Sequence, residues 1–193
     1  MKGMYRFGYF IMRIWKPLTG FKVKNWENIP KEGPVIVVSN HLSLSDPIVI
    51  AAWFPYQIHF IAKADFAKRR FVRWLFTKLG AFFVQRDEAD LAAIKKSLTY
   101  LKQNKSLGIF AEGRRSFSGE LGEMKQGSVF LALKAKVPIV PVAVINPYHL
   151  WRFWHRDVEL RVGEPFRVEG DLPTAELLEK YTILLRERVK GLL

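Results

Sequence analysis

Val35-Ile36-Val37-Val38-Ser39-Asn40-His41-Leu42-Ser43-Leu44-Ser45-Asp46-Pro47 is the stretch that organises this chain. Four β-branched residues in an unbroken apolar run predict a strand buried on both faces, because a half-solvated strand would alternate apolar and polar residues. The polar segment that follows ends in Asp46-Pro47, a pair expected at the N-cap and first position of a helix. A buried strand that passes through a polar loop into a helix is the building unit of an α/β sheet.

The same alternation extends in both directions. Residues 21–24, 34–39, 57–62, 81–84, 107–110, 138–145 and 157–162 read as strands, and residues 47–53, 70–79, 88–103, 127–135 and 173–190 read as helices. The expectation is a single α/β domain over residues 21–193, with a largely parallel or mixed sheet of about seven strands flanked by helices. No internal repeat or linker interrupts it. Ligands of such folds gather beyond the carboxyl ends of the strands, so the chemistry is expected there.

At 193 residues, 49% of them hydrophobic, the chain is long enough for one domain with a well-filled core. It has no cysteine, which excludes a disulfide framework, a thiol nucleophile and a thiolate metal site, and suits a reducing compartment. There are 31 Lys and Arg residues against 18 Asp and Glu. Residues 1–86 hold 14 of those bases and 4 of the acids, so the positive charge is concentrated in the first half. Such a balance calls for an anionic partner: nucleic acid, a lipid surface or a phosphorylated substrate. No segment is long and apolar enough to span a membrane, since the nearest candidate, residues 35–62, is broken by His41, Asp46 and Pro47. Nor do the first residues form a secretory signal, so the protein is expected to stay where it is made.

Residues 1–20 predict an amphipathic helix. Met4, Phe7, Ile11, Ile14 and Leu18 recur at helical spacing, Lys2, Arg6, Arg13 and Lys16 take the other side, and Tyr5, Tyr9 and Trp15 add interfacial aromatics. The favoured reading is a helix lying on an anionic membrane surface. The plain alternative is a helix packed on its own domain with a solvated basic face.

Chemistry-bearing residues collect in three predicted loops. After the first strand come His41 and Asp46, five residues apart, too far for one helical face but within reach in a loop that turns back. The carboxylate could hold the imidazole tautomer while the other ring nitrogen takes a proton; equally, Asp46 could simply cap a helix. After residues 107–110 come Glu112, Gly113, Arg114 and Arg115, where two guanidinium groups beside a glycine could grip a phosphate or belong to a solvated basic loop. Arg86 follows the strand at 81–84 and offers another cation at the same edge, while Lys68, Arg69 and Arg70 read as a solvated helix face. The segment 122–129 falls short of a phosphate-binding P-loop, because no Lys precedes Ser128, and no G-x-S-x-G nucleophile elbow exists. His59, His149 and His155 lack metal-site spacing and read as structural or surface groups.

In combination these segments resemble the glycerolipid acyltransferase family, specifically its bacterial 1-acyl-sn-glycerol-3-phosphate acyltransferases. Four blocks carry the likeness, in family order. Asn40-His41-Leu42-Ser43-Leu44-Ser45-Asp46 matches N-H-x-S-x-x-D. Lys63-Ala64-Asp65-Phe66 with Gly80-Ala81-Phe82-Phe83-Val84-Gln85-Arg86 looks like the second block. Phe110-Ala111-Glu112-Gly113-Arg114-Arg115-Ser116 is similar to F-P-E-G-T-R-S, with Ala111 and Arg114 in place of the usual proline and threonine. Val137-Pro138-Ile139-Val140-Pro141-Val142 matches the fourth. In the second block Asp65 and Phe66 stand where Glu and Leu are commoner.

The resemblance implies an O-acyltransferase that moves a fatty acyl group from a thioester to the free hydroxyl of 1-acyl-sn-glycerol 3-phosphate, giving phosphatidic acid. His41 would be the general base and Asp46 its orienting partner. Arg86, Arg115 and Arg114 would bind the acceptor phosphate, Glu112 and Gly113 would shape the glycerol site, and Lys63 would join them in substrate binding. The implied donor is acyl-CoA or acyl carrier protein, acting as substrate, with no cofactor, no metal and no nucleic acid partner. The implied location is the cytoplasmic face of the cell membrane, held peripherally or monotopically. Two alternatives are a different acceptor, such as lyso-ornithine lipid or glycerol 3-phosphate, and a non-enzymatic binder of anionic lipid or nucleic acid. The binder leaves the four ordered blocks unexplained.

Overall fold

The alternation of buried strands and helices is realised in a computed structural model, which describes residues 3, 10, 14, 21–63, 70–78, 80–84, 89–116, 119–151 and 157–193. The strands are β1 (Lys22–Lys24), β2 (Ile36–Ser39), β3 (Ile58–Lys63), β4 (Phe82–Val84), β5 (Ser106–Phe110), β6 (Ile139–Ile145) and β7 (Glu159–Val162). The helices are α1 (Asp46–Ala51), α2 (Arg70–Lys78), α3 (Ala89–Lys102), α4 (Gly127–Ala135) and α5 (Ala175–Lys190). Every strand expected over residues 21–193 forms, with ends shifted by one or two residues. The helix expected over residues 1–20 falls outside the described residues except at 3, 10 and 14, which are helical.

One seven-stranded sheet runs in the order β1-β7-β6-β2-β5-β3-β4. The five strands β6, β2, β5, β3 and β4 are mutually parallel, and β7 runs antiparallel to β6 while pairing in parallel with β1. The sheet is therefore mixed, and its parallel part sets the carboxyl ends of β2, β5, β3 and β6 along one edge. Both outer strands are only three residues long. Exposed Lys22 and Lys24 guard the β1 edge, a usual defence against further strand pairing.

The apolar run of β2 is explained by the two cores it separates. Side chains alternate across a strand, so Val35 and Val37 enter a core with Phe21, Val49, Ile50, Phe54 and Leu160. Ile36 and Val38 enter the opposite core, with Leu107, Val129, Ile139 and Leu185. Burial on both faces leaves no position for a polar residue, and each such side chain contributes about 1.5–3 kcal/mol. The α1 helix belongs to the first layer and α4 and α5 to the second. Thr174 caps α5 by accepting a hydrogen bond from the Leu177 amide at 3.3 Å. Arg70 lies exposed on α2, as a solvated helix face requires. His59 hydrogen-bonds the Gly80 carbonyl through Nδ1 at 2.8 Å, a structural role. Among the described residues no helix is long and apolar enough to cross a membrane.

Candidate active site

Strand β2 ends at Ser39, and the residue that follows is a fastener. Asn40 is buried; its Nδ2 donates to the Val144 carbonyl at 3.0 Å, and its Oδ1 accepts from the Val144 amide at 2.8 Å. A side-chain amide thus imitates a peptide group and continues the β2–β6 pairing past Ser39 and Val142. The chain leaves the sheet at a fixed point, and the next residue is His41.

The loop 41–45 curls around one oxygen atom. Asp46 Oδ2 accepts from the Leu42 amide at 2.7 Å and the Ser43 amide at 2.9 Å, and lies 2.7 Å from His41 Nδ1. Ser45, not Asp46, occupies the N-cap of α1, while Asp46 is the first helical residue with its carboxylate turned back onto the loop. The helix-cap alternative is therefore corrected: the residue opens the helix and binds the imidazole. Its side chain is 0% exposed, and three donors with the positive end of α1 offset the cost of burying that charge. A carboxylate only accepts, so Nδ1 carries a proton toward Asp46, and the lone pair of the neutral imidazole falls on Nε2. That is the arrangement a general base requires.

The face of the imidazole is set by β5. Phe110, opposite Ser39 in the parallel register, stacks on His41 with ring centroids 4.0 Å apart and planes 17° apart. Phe60 of β3 stacks in turn on Phe110 at 5.7 Å. A column of three rings therefore rises from the sheet, with the His41 imidazole at its end.

The β5 loop then wraps the main chain of His41. Its amide donates to Glu112 Oε1 at 3.0 Å, and its carbonyl accepts from the Ser116 amide at 2.8 Å. Gly113 makes the turn at φ 70°, a left-handed conformation suited to glycine, and its amide bonds the Phe110 carbonyl at 3.0 Å. Exposed Arg114 and half-buried Arg115 lie between Gly113 and Ser116, so the His41–Ser116 bond brings the main chain of both arginines close to that of His41. The structure thus assembles His41, Asp46, Glu112, Gly113, Arg114 and Arg115 at the carboxyl ends of β2 and β5. Lys63 closes β3 at the same edge. Arg86 lies outside the described residues.

Four further residues shape the site: Asn40, Phe110, Lys125 and Tyr148. The Lys125 amide bonds the Ala111 carbonyl at 2.9 Å, and a Cβ on Gly113 would meet its Cε at 3.3 Å and its Nζ at 3.7 Å. Its side chain therefore passes over the glycine turn beside the arginines. Tyr148 donates its hydroxyl to the Leu42 carbonyl at 2.8 Å. Asn40 could have been suspected as the polar residue just past a buried strand, and Phe110 as the aromatic that closes one. Nothing local marks Lys125 or Tyr148.

Comparison with known proteins agrees with this geometry. The sequence model of the family described as Acyltransferase matches residues 20–145, the span that holds both loops. The chain belongs to the acyltransferase family. This acyltransferase is 30% identical to the 1-acyl-sn-glycerol-3-phosphate acyltransferase of Bacillus subtilis, over 98% of its own length and 96% of the relative's. It is 32% identical to the protein of the same name from Borreliella burgdorferi, over 73% of its length and 60% of that chain. Its fold is similar to the crystal structure of the 1-acyl-sn-glycerophosphate acyltransferase PlsC from Thermotoga maritima, with a TM-score of 0.71, 29% identity, and coverage of 98% and 87% of the two chains. It is an O-acyltransferase of phospholipid biosynthesis, for which the family implies a lysophospholipid acceptor and an acyl donor.

Proposed function

We propose that this acyltransferase transfers a fatty acyl group from an acyl thioester, either acyl-CoA or acyl carrier protein, to the free hydroxyl of 1-acyl-sn-glycerol 3-phosphate. The product is phosphatidic acid, and His41 is the general base. The observation that carries this reading is the 2.7 Å contact between His41 Nδ1 and Asp46, which supports a neutral imidazole that keeps its lone pair on Nε2. The names of the Bacillus subtilis and Borreliella burgdorferi relatives support the choice of acceptor.

The reaction follows in balanced steps. Nε2 removes the proton of the acceptor hydroxyl as its oxygen attacks the thioester carbonyl carbon, giving a tetrahedral oxyanion. Asp46 stabilises the imidazolium so formed. The intermediate collapses, the C–S bond breaks, and the thiolate takes the proton back from Nε2. A new C–O ester bond replaces the thioester, and no acyl-enzyme forms. Arg114 and Arg115, with Lys63 and Arg86, hold the acceptor phosphate, and Gly113 leaves space for its glycerol. The basic, aromatic N-terminal segment rests on the anionic cytoplasmic face of the membrane, where the acceptor arrives laterally and the donor from solution.

The test is thiol release from long-chain acyl-CoA with lysophosphatidic acid, run beside His41→Ala. Wild type turns over, and the folded variant loses on the order of 10²–10⁴-fold, the usual contribution of a general base. Full activity in His41→Ala would overturn the base. A wild type silent with this acceptor but active with lyso-ornithine lipid or glycerol 3-phosphate would overturn the acceptor.

A further inference from the structure

Both carboxylate oxygens of Glu112 are taken by main-chain donors. Oε1 accepts from the amide of His41 at 3.0 Å, across 71 positions of sequence, and Oε2 accepts from the amide of Gly122 at 3.0 Å. A Cβ at residue 122 would stand 3.0 Å from Oε2, so glycine there lets the second loop come this close. Arg186 of α5 reaches the carbonyls of Leu121 and Gly122, tying the same loop to the helix layer. One charged side chain therefore joins the loop that carries the base to a loop anchored on the scaffold, through hydrogen bonds stronger than neutral ones.

We infer that Glu112 is a positioning residue for His41: it sets the main chain from which the imidazole projects, and through it the direction of Nε2. The inference rests on the reading of His41 as the base. The ring is restrained at Nδ1 by Asp46 and on its face by Phe110, but both restraints leave its Cα free to shift. The bonds that His41 donates to Glu112 and accepts from Ser116 act on that backbone directly. A base displaced by about 1 Å loses on the order of 10²-fold in rate, so a clamp on its amide controls catalysis without touching the acceptor.

The test separates this role from direct binding of the acceptor glycerol. Glu112→Gln has the same shape but offers an acceptor on one arm only, so one of the two loops is released. Three quantities are measured with long-chain acyl-CoA: kcat with lysophosphatidic acid, the KM for that acceptor, and the slow acceptor-free release of thiol to water. His41→Ala is run in parallel. The expected result is a fall of about 10²-fold in kcat, an unchanged acceptor KM, and an equal fall in the water reaction, which needs the base but no glycerol. A raised KM with an unchanged water reaction would make Glu112 an acceptor ligand and overturn the inference. So would a Glu112→Gln enzyme equal to wild type while His41→Ala is inactive. If His41→Ala keeps both reactions, the base falls and the inference with it. Should Glu112→Gln fail to fold, Glu112→Asp carries the same comparison, since it keeps the charge but is one methylene too short to serve both loops.

Discussion

Phe60 lies across Gly108 of the neighbouring strand, where a Cβ on residue 108 would stand 2.2 Å from the ring. The missing side chain is what lets Phe60 sit beneath Phe110 and Phe110 beneath His41. Gly108 thus bears on the placement of His41 from three contacts away.

Gly108→Ala should push Phe60 out of the column. An overpacking cost of about 1–3 kcal/mol is expected, read as a lowered thermal midpoint, together with a lower kcat. Adding Phe60→Leu should restore part of both, a coupling that a double-mutant cycle measures. A single variant as stable and active as wild type would show that the column does not support His41.

Asn40→Ala should destabilise the fold and the site together. It strips the buried Val144 amide and carbonyl of their partners, at an expected cost of about 1–3 kcal/mol for each group left unsatisfied. Denaturant midpoints give the stability loss, and thiol-release assays should show a lower kcat, because the chain no longer leaves the sheet at a fixed point. No change in midpoint would argue that water replaces the amide.

Lys125 stands beside the turn that carries Arg114 and Arg115, with its ammonium close to Gly113. Lys125→Met keeps the apolar length and removes the charge. The KM for lysophosphatidic acid should rise about 10-fold, the loss of one charge-assisted contact of roughly 1.5 kcal/mol. The KM for an uncharged monoacylglycerol acceptor should not change. An equal effect on both acceptors would assign Lys125 to the fold of the loop.

The N-terminal segment gives a prediction of its own. Removing residues 1–20 should weaken co-sedimentation with anionic vesicles more than with neutral ones. Unchanged pelleting with anionic vesicles would take the membrane role away from this segment.

Glu159 links the two reversed strands. Burial pushes its carboxyl up, but the hydrogen bonds and charges of Lys24 and Arg161 outweigh this and hold it below the usual carboxylate range. A carboxyl lowered in the folded state contributes stability that is complete above its unfolded pKa of about 4.3 and is lost as pH falls through the lowered value. The gap in thermal midpoint between wild type and Glu159→Gln should therefore be constant near neutrality and close in acid. A gap that persists below pH ~3 would assign the effect to packing.

The sequence by itself determined the elements and the chemical class. Residues 35–38 read as a doubly buried strand because neighbouring side chains alternate between two faces, and both faces here face a core; that logic needs only adjacent residues. The blocks around His41 and Glu112 were legible for the same reason, each being a short run at one strand end. What the tertiary structure decided are the relations between such runs. The five-residue spacing of His41 and Asp46 left open whether Asp46 caps the helix or meets the imidazole, and only the curl of the loop shows the carboxylate against the ring, with Ser45 at the N-cap. The bond of Glu112 to His41 spans 71 positions, and those of Asn40 to Val144 span 104. No local periodicity encodes such distances; they exist because parallel pairing sets the ends of β2, β5 and β6 side by side. The sheet turns separate polar loops into one site, and it does so through register, which no single segment contains.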